Sequence, residues 1–217
     1  MTRHQFLSAL HEMLKPQLYL EVGVQYGGSL ALAKAPTEAI GIDPAASVMT
    51  ALSASTTVVH STSDDYFDSK PQLPGPIDLA FIDGMHLFEY ALRDFANIEQ
   101  RSHCGGVVVF DDVLPRNQAE GSRFQVPGDW AGDTWKVYPI LLNYRPDLFL
   151  ALVDVEPTGV LVVADLHPTS GPPDIWGHLP EIVPAWIRDQ EVPGEVLSRK
   201  DSVDPVEALT LLGEVLA

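Results

Sequence analysis

The stretch from Ile77 to His86 reads Ile-Asp-Leu-Ala-Phe-Ile-Asp-Gly-Met-His, an apolar, β-rich run that ends in an acid at Asp83. A second run, Gly-Val-Val-Val-Phe-Asp-Asp from position 106, ends in two acids, Asp111 and Asp112. Buried strands of an open α/β sheet carry such side chains to the crevice beyond their carboxyl ends. We therefore expect the three acids to lie close together, although each alone would also serve as a helix N-cap.

Burying three neighbouring carboxylates is costly unless a cation or the hydroxyl groups of a ligand compensate them. An all-oxygen set of this kind suits a divalent cation, above all Mg²⁺. The sequence therefore predicts a magnesium site formed by Asp83, Asp111 and Asp112.

The composition limits the class of partner. The 217 residues carry a formal net charge of −17, which argues against nucleic acid and against an anionic membrane surface. The single cysteine, Cys104, cannot form an intrachain disulfide, and no secretory or membrane-spanning run is evident. We expect a cytoplasmic protein that binds neither nucleic acid nor a membrane. The sequence leaves its oligomeric state open, a homo-oligomer included.

Alternating strand-like and helix-like segments predict a mostly parallel sheet with helices on both faces. The expected strands lie at 18–22, 39–42, 56–60, 77–82 and 107–110. The expected helices lie at 3–14, 29–34, 44–52, 88–98 and 137–143. A final hairpin, 148–155 with 160–165, predicts an antiparallel end to the sheet. In the helix at 88–98, helical spacing places Phe88 and Phe95 inward and Glu89 and Asp94 on the polar face.

Two segments stand apart from this pattern. Residues 113–136 form an irregular loop after Asp112 and are expected to be a lid over the site. The residues of this loop that could contact a bound substrate are Arg116, Arg123, Trp130, Asp133, Trp135 and Lys136. Residues 167–217 are rich in Pro and acidic residues and are expected to form an extension, packed on or partly flexible, of a main domain at 1–166. Its last helix should start at Asp204, with a proline in the first turn.

A glycine-rich turn follows the first predicted strand and reads Glu21-Val-Gly23-Val-Gln25-Tyr-Gly-Gly-Ser29. Asp43 comes 20 residues after Gly23, where a carboxylate can accept both hydroxyls of a ribose. The glycine spacing differs from that of dinucleotide-binding proteins, and Glu21 would repel a pyrophosphate. A cationic ligand with a ribose and an amino-acid group, such as S-adenosylmethionine, fits these residues better.

These motifs resemble the class I S-adenosylmethionine-dependent methyltransferases, and within them the small-molecule O-methyltransferases of the Methyltransf_24 kind. The resemblance covers roughly 18–165, and its most specific part is Phe-Ile-Asp-Gly-Met-His-Leu-Phe-Glu-Tyr from position 81 together with Phe-Asp-Asp from position 110. It implies a Rossmann-like fold whose seven-stranded sheet has an antiparallel last strand.

The resemblance also implies roles for individual residues. The residues expected to contact the cofactor are Glu21, Gly23, Gln25, Ser29, Asp43, Ser63, Asp64 and Asp83. Of these, Asp43 would hold the ribose, and Ser63 with Asp64 would flank the adenine. His86, three residues after the first metal ligand, matches the base of related enzymes and would deprotonate the acceptor beside Asp83.

The resemblance thus predicts Mg²⁺-assisted methyl transfer to a hydroxyl of a sugar, a glycoside or another natural-product intermediate. The alternatives are a metal-independent methyltransferase, a non-catalytic binding protein with this fold and, less favoured, a dinucleotide-dependent dehydrogenase.

Overall fold

The computed structural model describes residues 1–168 and 175–217 and contains one seven-stranded sheet. The strands are β1 Leu18–Val22, β2 Glu38–Ile42, β3 Ser55–Val59, β4 Ile77–Ile82, β5 Ser102–Asp111, β6 Phe149–Val153 and β7 Val160–Ala164. Their order is β3-β2-β1-β4-β5-β7-β6. Only β7 runs antiparallel to its neighbours, β5 and β6. The predicted Rossmann-like fold class is confirmed.

The strand order places a crevice at one point of the sheet. From β1 the chain moves outward to β2 and β3, then returns to the other side of β1 through β4 and β5. Ligands of open α/β sheets bind where the order reverses in this way, beyond the carboxyl ends of the strands. β1 and β4 are direct neighbours, with Val22 opposite Ile82. The residues that follow these two strands therefore face each other across the crevice.

The helices are α1 Arg3–Leu14, α2 Ser63–Asp68, α3 Phe88–Glu99, α4 Val137–Tyr144, α5 Ile175–Trp186, α6 Gly194–Leu197 and α7 Pro205–Val215. Short 3₁₀ helices span Leu30–Leu32 and Thr134–Lys136. Two apolar clusters cover the faces of the sheet, one containing Phe88 and Phe95 of α3 and the other Phe6 and Leu10 of α1.

Two helix predictions made from the sequence are wrong. The expected helix at 29–34 is only the 3₁₀ turn Leu30–Leu32, because the backbone is already extended at Ala33, with ψ of 132°. The expected helix at 44–52 is absent because the chain lies along the glycine-rich turn instead. There the backbone N–H groups of Ser47 and Met49 donate to the carbonyls of Gln25 and Tyr26.

β5 is longer than predicted, since it begins at Ser102 rather than Val107. The pair Gly105-Gly106 lies inside this strand and does not end the preceding helix, which finishes at Glu99. A Cβ atom at Gly106 would lie 3.0 Å from the carbonyl oxygens of His103 and Ile77. Glycine is therefore suited to the close approach of β4 and β5 at this point.

The C-terminal helices pack onto the sheet domain. α5 buries Ile175, Leu179 and Ile182 beside α3, and α7 buries Ala208 and Leu212 near β6. The predicted start of α7 is confirmed: the Asp204 side chain accepts a hydrogen bond from the backbone of Val206, and Pro205 occupies the first helical position. Residues 169–174 of the predicted extension lie outside the described residues. In the part of the chain that the structure describes, no helix has both the length and the hydropathy needed to cross a membrane.

Candidate active site

Gly23 brings the ends of β1 and β4 together. Its φ is +89°, and a Cβ at this position would lie 1.9 Å from the carbonyl oxygen of Asp83. Only glycine tolerates both the left-handed backbone and this approach. The next residues turn sharply, with φ of 47° at Gln25 and 77° at Gly27. The turn thus forms one wall of the crevice and the Asp83 segment forms the opposite wall.

Glu21 lies beneath the glycine-rich turn and is fully buried. One carboxylate oxygen accepts a hydrogen bond from the Tyr19 hydroxyl at 2.6 Å, and the other accepts one from Ser29 at 2.8 Å. Burial raises the pKa of Glu21 to about 8, since two neutral hydroxyl donors compensate the lost hydration only in part. Ser29 lines the crevice, whereas Glu21 supports it from behind.

Asp43 follows β2 and connects the strand to the same turn. Its Oδ2 accepts hydrogen bonds from the backbone of Val24 and Gln25 at 2.9 and 2.8 Å, and its Oδ1 accepts one from Ala45 at 2.7 Å. A carboxylate has about four lone-pair positions, so one acceptor position stays available for a ligand hydroxyl. Asp43 therefore fixes the backbone of the turn and also faces the crevice.

Two adjoining cavities occupy the crevice. The larger, of about 520 Å³, is lined by Arg3, the glycine-rich turn, Asp83, His86 and Asp112. The smaller, of about 290 Å³, lies toward α2 and α3, and both cavities are bordered by Gly23, Asp43 and Gly84. Together they provide the space that an elongated, nucleoside-containing ligand requires.

The smaller cavity contains Ser63 and Asp64, as predicted for the adenine side, but the Asp64 carboxylate is already paired. Arg93 binds it through two hydrogen bonds, of 3.0 and 2.6 Å. Asp94 lines the same cavity, is buried, and has a pKa raised by burial to about 7. Asp94 and Glu89 belong to the expected polar face of α3, and both are buried.

An acidic group with one histidine lies at the carboxyl ends of β4 and β5. Single ligand atoms of Asp83, His86 and Asp112 lie within 4.8 Å of one another. His86 Nε2 is 3.2 Å from Asp83 Oδ1, and His86 Nδ1 is 3.2 Å from Asp112 Oδ2. The structure thus brings together the two predicted catalytic residues, His86 and Asp83. It also places Asp112 beside them, so that two of the three predicted metal ligands are close together.

Asp111, the third predicted ligand, lies outside that group. Its side chain is buried, and neither carboxylate oxygen receives a hydrogen bond within the described residues. The guanidinium of Arg3 forms an ion pair with it and also donates to Asp83 Oδ2 at 3.4 Å. Sequence reasoning missed Arg3 because it belongs to α1, far from the motifs in the chain.

The ring of His86 is held by the loop after β5. Its Nδ1 lies 2.9 Å from the carbonyl oxygen of Trp130, and the two rings stack 5.5 Å apart. Burial alone would lower the pKa of His86, but the hydrogen bond to Asp83 and the charges of Asp112 and Asp83 outweigh it and raise the pKa to about 9. Both ring nitrogens face oxygen acceptors, which is the geometry of an imidazolium.

Three of the six predicted acceptor contacts in the loop at 113–136 form a buried ionic network. The Asp133 carboxylate binds Arg123 at 3.0 Å and Lys136 at 2.9 Å, and Arg123 also pairs with Glu89. The remaining candidates divide as follows: Arg116 pairs with Glu120 and Asp129, Trp135 donates to the Gly121 carbonyl, and Trp130 stacks on His86. Of the six, Trp130 contacts the ring of His86, and the backbone N–H of Asp133 donates to the His86 carbonyl at 3.1 Å.

Residues 20–113 match the Methyltransf_24 family, described as a methyltransferase domain. No curated protein matches the chain by sequence at a significant level. The fold and the crevice at its switch point agree with this match. Over residues 20–113 the chain is therefore similar to a methyltransferase domain of the Methyltransf_24 kind.

Two solved structures of similar fold were determined with SAH or SAM bound. The SAH-bound methyltransferase PaMTH1 of Podospora anserina is 17% identical, with a TM-score of 0.58 over 76% of this chain and 78% of that one. TomG of Streptomyces achromogenes, an O-methyltransferase of tomaymycin synthesis bound to SAM, is 17% identical, with a TM-score of 0.56 over 76% and 80%.

A third similar structure contains a metal. MycE, from the mycinamycin biosynthetic pathway, was solved with Mg, SAH and mycinamycin VI. It is 18% identical, with a TM-score of 0.52 over 77% of this chain and 50% of that one. At these identities the likeness concerns the fold.

Proposed function

We propose that the protein transfers the methyl group of S-adenosylmethionine to a hydroxyl oxygen of a small molecule. The observation that carries this proposal is that the expected cofactor-binding residues and the expected catalytic residues line the same cavity, the larger one. The glycine-rich turn and Asp43 line one side of it, and Asp83, His86 and Asp112 line the other. A cofactor bound against the turn would present its methyl group toward the acidic group, so that transfer depends mainly on proximity and alignment.

The cofactor assignment rests on the two adjoining cavities. The smaller accommodates an adenine beside Ser63 and Asp94, and the boundary at Asp43 accommodates the ribose. The amino-acid end lies over Gly28 and Ser29 in the larger cavity. Glu21 is too deeply buried to contact a ligand directly, so we assign it the role of orienting Ser29.

His86 is the proposed general base. Its ring lines the larger cavity and is fixed by Trp130 and Asp83, so its orientation costs little entropy when an acceptor binds. To accept a proton it must first be neutral, and the carboxylates of Asp83 and Asp112 oppose this by favouring the imidazolium. His86 can therefore act as a base either at alkaline pH or when a bound cation offsets the negative charge of these two carboxylates.

The donor set fits a divalent cation. Asp83 and Asp112 contribute clustered oxygen ligands, and the buried Asp111 has two oxygens without a hydrogen bond in the described chain. These three acids would hold the ion, with Mg²⁺ favoured by the oxygen ligands. When bound, the ion would lower the pKa of an acceptor hydroxyl. The protein's own part is to orient the acceptor, exclude water and receive the proton at His86.

The acceptor class follows from this site. A cation held by carboxylates favours an oxygen nucleophile, in particular one of two adjacent hydroxyls able to chelate it. The aromatic face of Trp130 beside His86 suits a sugar, a glycoside or another natural-product intermediate. The single cysteine, Cys104, is compatible with action in the cytoplasm, which we propose as its location.

Calorimetric titration with S-adenosylhomocysteine and with NAD tests the assignment of class. We expect the first to bind and the second not to bind, because the glycine spacing of the turn differs from that of dinucleotide-binding proteins. A panel of vicinal diols, including sugars and catechols, should then be assayed for methyl transfer with Mg²⁺ and with excess EDTA. Binding of neither cofactor would support the non-catalytic alternative. Full turnover in EDTA would support the metal-independent one.

A further inference from the structure

Arg3 places a positive charge beside Asp83 and Asp111, two of the three acids proposed to bind a metal ion; these three acids, Asp83, Asp111 and Asp112, are called the acidic cluster below. Its Nη1 lies 3.4 Å from Asp83 Oδ2 and forms an ion pair with Asp111 Oδ2. The side chain also lines the larger cavity. A cation that belongs to the protein therefore stands between the acid that follows β4 and the acid at the end of β5.

The position of Arg3 is determined by the helix that it begins. Thr2 and Gln5 form a reciprocal capping box around it, with hydrogen bonds of 2.9 and 3.3 Å. The Arg3 backbone N–H donates to the carbonyl of Glu156 at 2.9 Å, next to the turn between β6 and β7. Phe6 and other apolar residues of α1 are fully buried. The guanidinium is therefore presented by a fixed helix rather than by a loose terminus.

We propose that Arg3 is the resident cation of this cluster, and that a divalent cation occupies Asp83, Asp111 and Asp112 only by displacing it. Among the described residues, Arg3 is the positive group that pairs with Asp111, whose two oxygens otherwise lack hydrogen bonds. A guanidinium stays charged at all accessible pH values, so it cannot relieve its repulsion of a metal ion by losing a proton. It has to move.

Displacement means that the protein binds metal more weakly than three acids alone would. Arg3 and the divalent cation compete for the same carboxylates, and the position of α1 determines how firmly Arg3 holds them. The inference rests on the metal-ligand set of the proposed function, but it does not depend on the cofactor or on methyl transfer. Its test can therefore use metal binding as the measurement.

Binding of Mn²⁺ to the full chain, followed by electron paramagnetic resonance, compares the wild type with Arg3→Gln and Arg3→Lys. Removing the charge should tighten Mn²⁺ binding by at least about tenfold, whereas lysine keeps a charge and should give a smaller change. Lys34→Gln removes one charge from an exposed position that pairs only weakly with Glu12, at 3.9 Å, and should leave binding unchanged. Equal or weaker binding by Arg3→Gln, or no binding by any variant, would overturn the inference.

A second measurement uses the wild-type protein, so it does not depend on the folding of a variant. The NMR signal of the Arg3 Nε–H group, assigned by its loss in Arg3→Lys, should shift as Mg²⁺ is added. A signal that does not move up to saturating Mg²⁺ would contradict displacement. Titration of each variant with S-adenosylhomocysteine separates the two proposals: intact cofactor binding with unchanged metal affinity rejects the role of Arg3 alone.

Discussion

His86 Nε2 lies 3.2 Å from Asp83 Oδ1, so the proposed base and the acid that ends the β4 run form one unit. Asp83 directly follows β4, and His86 comes three residues later. The φ of His86 is 55°, a left-handed backbone conformation, and its ring faces Asp83. Gly132 permits this arrangement from the other side, because a Cβ there would lie 1.7 Å from the His86 carbonyl oxygen. The geometry of this pair underlies the predictions on catalysis and on pH.

Replacing His86 by alanine should lower turnover by roughly 10²–10⁴-fold, the usual loss when a general base is removed. The affinity for S-adenosylhomocysteine should change little, because the cofactor is bound by the opposite wall of the cavity. Steady-state kinetics on an identified acceptor and calorimetry measure the two effects.

His103 provides a matched control for this substitution. It also pairs with an aspartate, Asp78 at 3.0 Å, but the pair lies where β4 and β5 begin, at the other edge of the sheet. His103→Ala should retain wild-type turnover. Wild-type turnover by His86→Ala would exclude His86 as the base.

The titration of His86 should be visible in the stability of the metal-free protein. The pKa is about 9 in the folded state and 6.5 in the reference state, so the folded state binds the proton more tightly. This contribution to the free energy of unfolding is fully present below pH 6.5 and is lost as pH rises through about 9.

Denaturant unfolding between pH 6 and pH 10 tests this, with His86→Gln as the variant. The wild type should lose more stability across this range than the variant does. An NMR titration of the imidazole gives the pKa directly. A value at or below 6.5 would contradict the arrangement between the two carboxylates.

Replacing Glu21 by glutamine should increase the free energy of unfolding at alkaline pH and not at acidic pH. Burial raises its pKa from 4.5 to about 8, so its contribution is fully present below pH 4.5 and is lost as pH rises through about 8. Glutamine keeps the shape and carries no charge. Thermal unfolding at pH 5 and at pH 9 should show a gain for Glu21→Gln at pH 9 only, and an equal effect at both values would contradict a buried carboxylate.

Asp43→Ala should weaken binding of S-adenosylhomocysteine by about 1.5–3 kcal/mol, the range for hydrogen bonds to a charged group. The same side chain supports the backbone of Val24 and Gln25, so part of the loss comes from a less ordered turn. Circular dichroism should confirm that the variant is folded before calorimetry is interpreted. Unchanged affinity in a folded variant would remove Asp43 from the cofactor site.

The loop at 113–136 should behave as two parts in hydrogen exchange. Residues 133–136 are held by the buried pairing of Asp133 with Lys136 and should be protected with or without ligand. Residues 124–129 are largely exposed, with Phe124 65% accessible, and should become protected only with cofactor and acceptor bound. Identical exchange of this stretch in the free and ternary states would reject a lid.

The sequence was sufficient to predict the sheet and the meeting of Asp83 with Asp112. Buried parallel strands have continuous apolar runs, and the acids after them necessarily share one edge. It was not sufficient to predict the partners of these acids. Arg3 reaches Asp111 across more than a hundred residues of sequence, and Arg123 pairs with Glu89 across 34 residues. Such ion pairs leave no local pattern.

The absence of a helix at 44–52 could not be predicted from the sequence either. The residues after Pro44 have adequate helix propensity, yet the backbone of Ser47 bonds to the glycine-rich turn. This contact between separate segments outweighs a weak local preference. The buried position of Asp94 was missed for a similar reason, since its place on α3 follows from the cavity that it lines and not from helical spacing.

The most direct measurement is a crystal structure of the protein with S-adenosylhomocysteine. We expect adenine in the smaller cavity near Ser63, the ribose at Asp43 and the sulfur in the larger cavity, directed toward His86 and Asp83. Electron density for the ligand at any other position, or its absence at saturating concentration, would contradict the proposed cofactor site and the methyl transfer that depends on it.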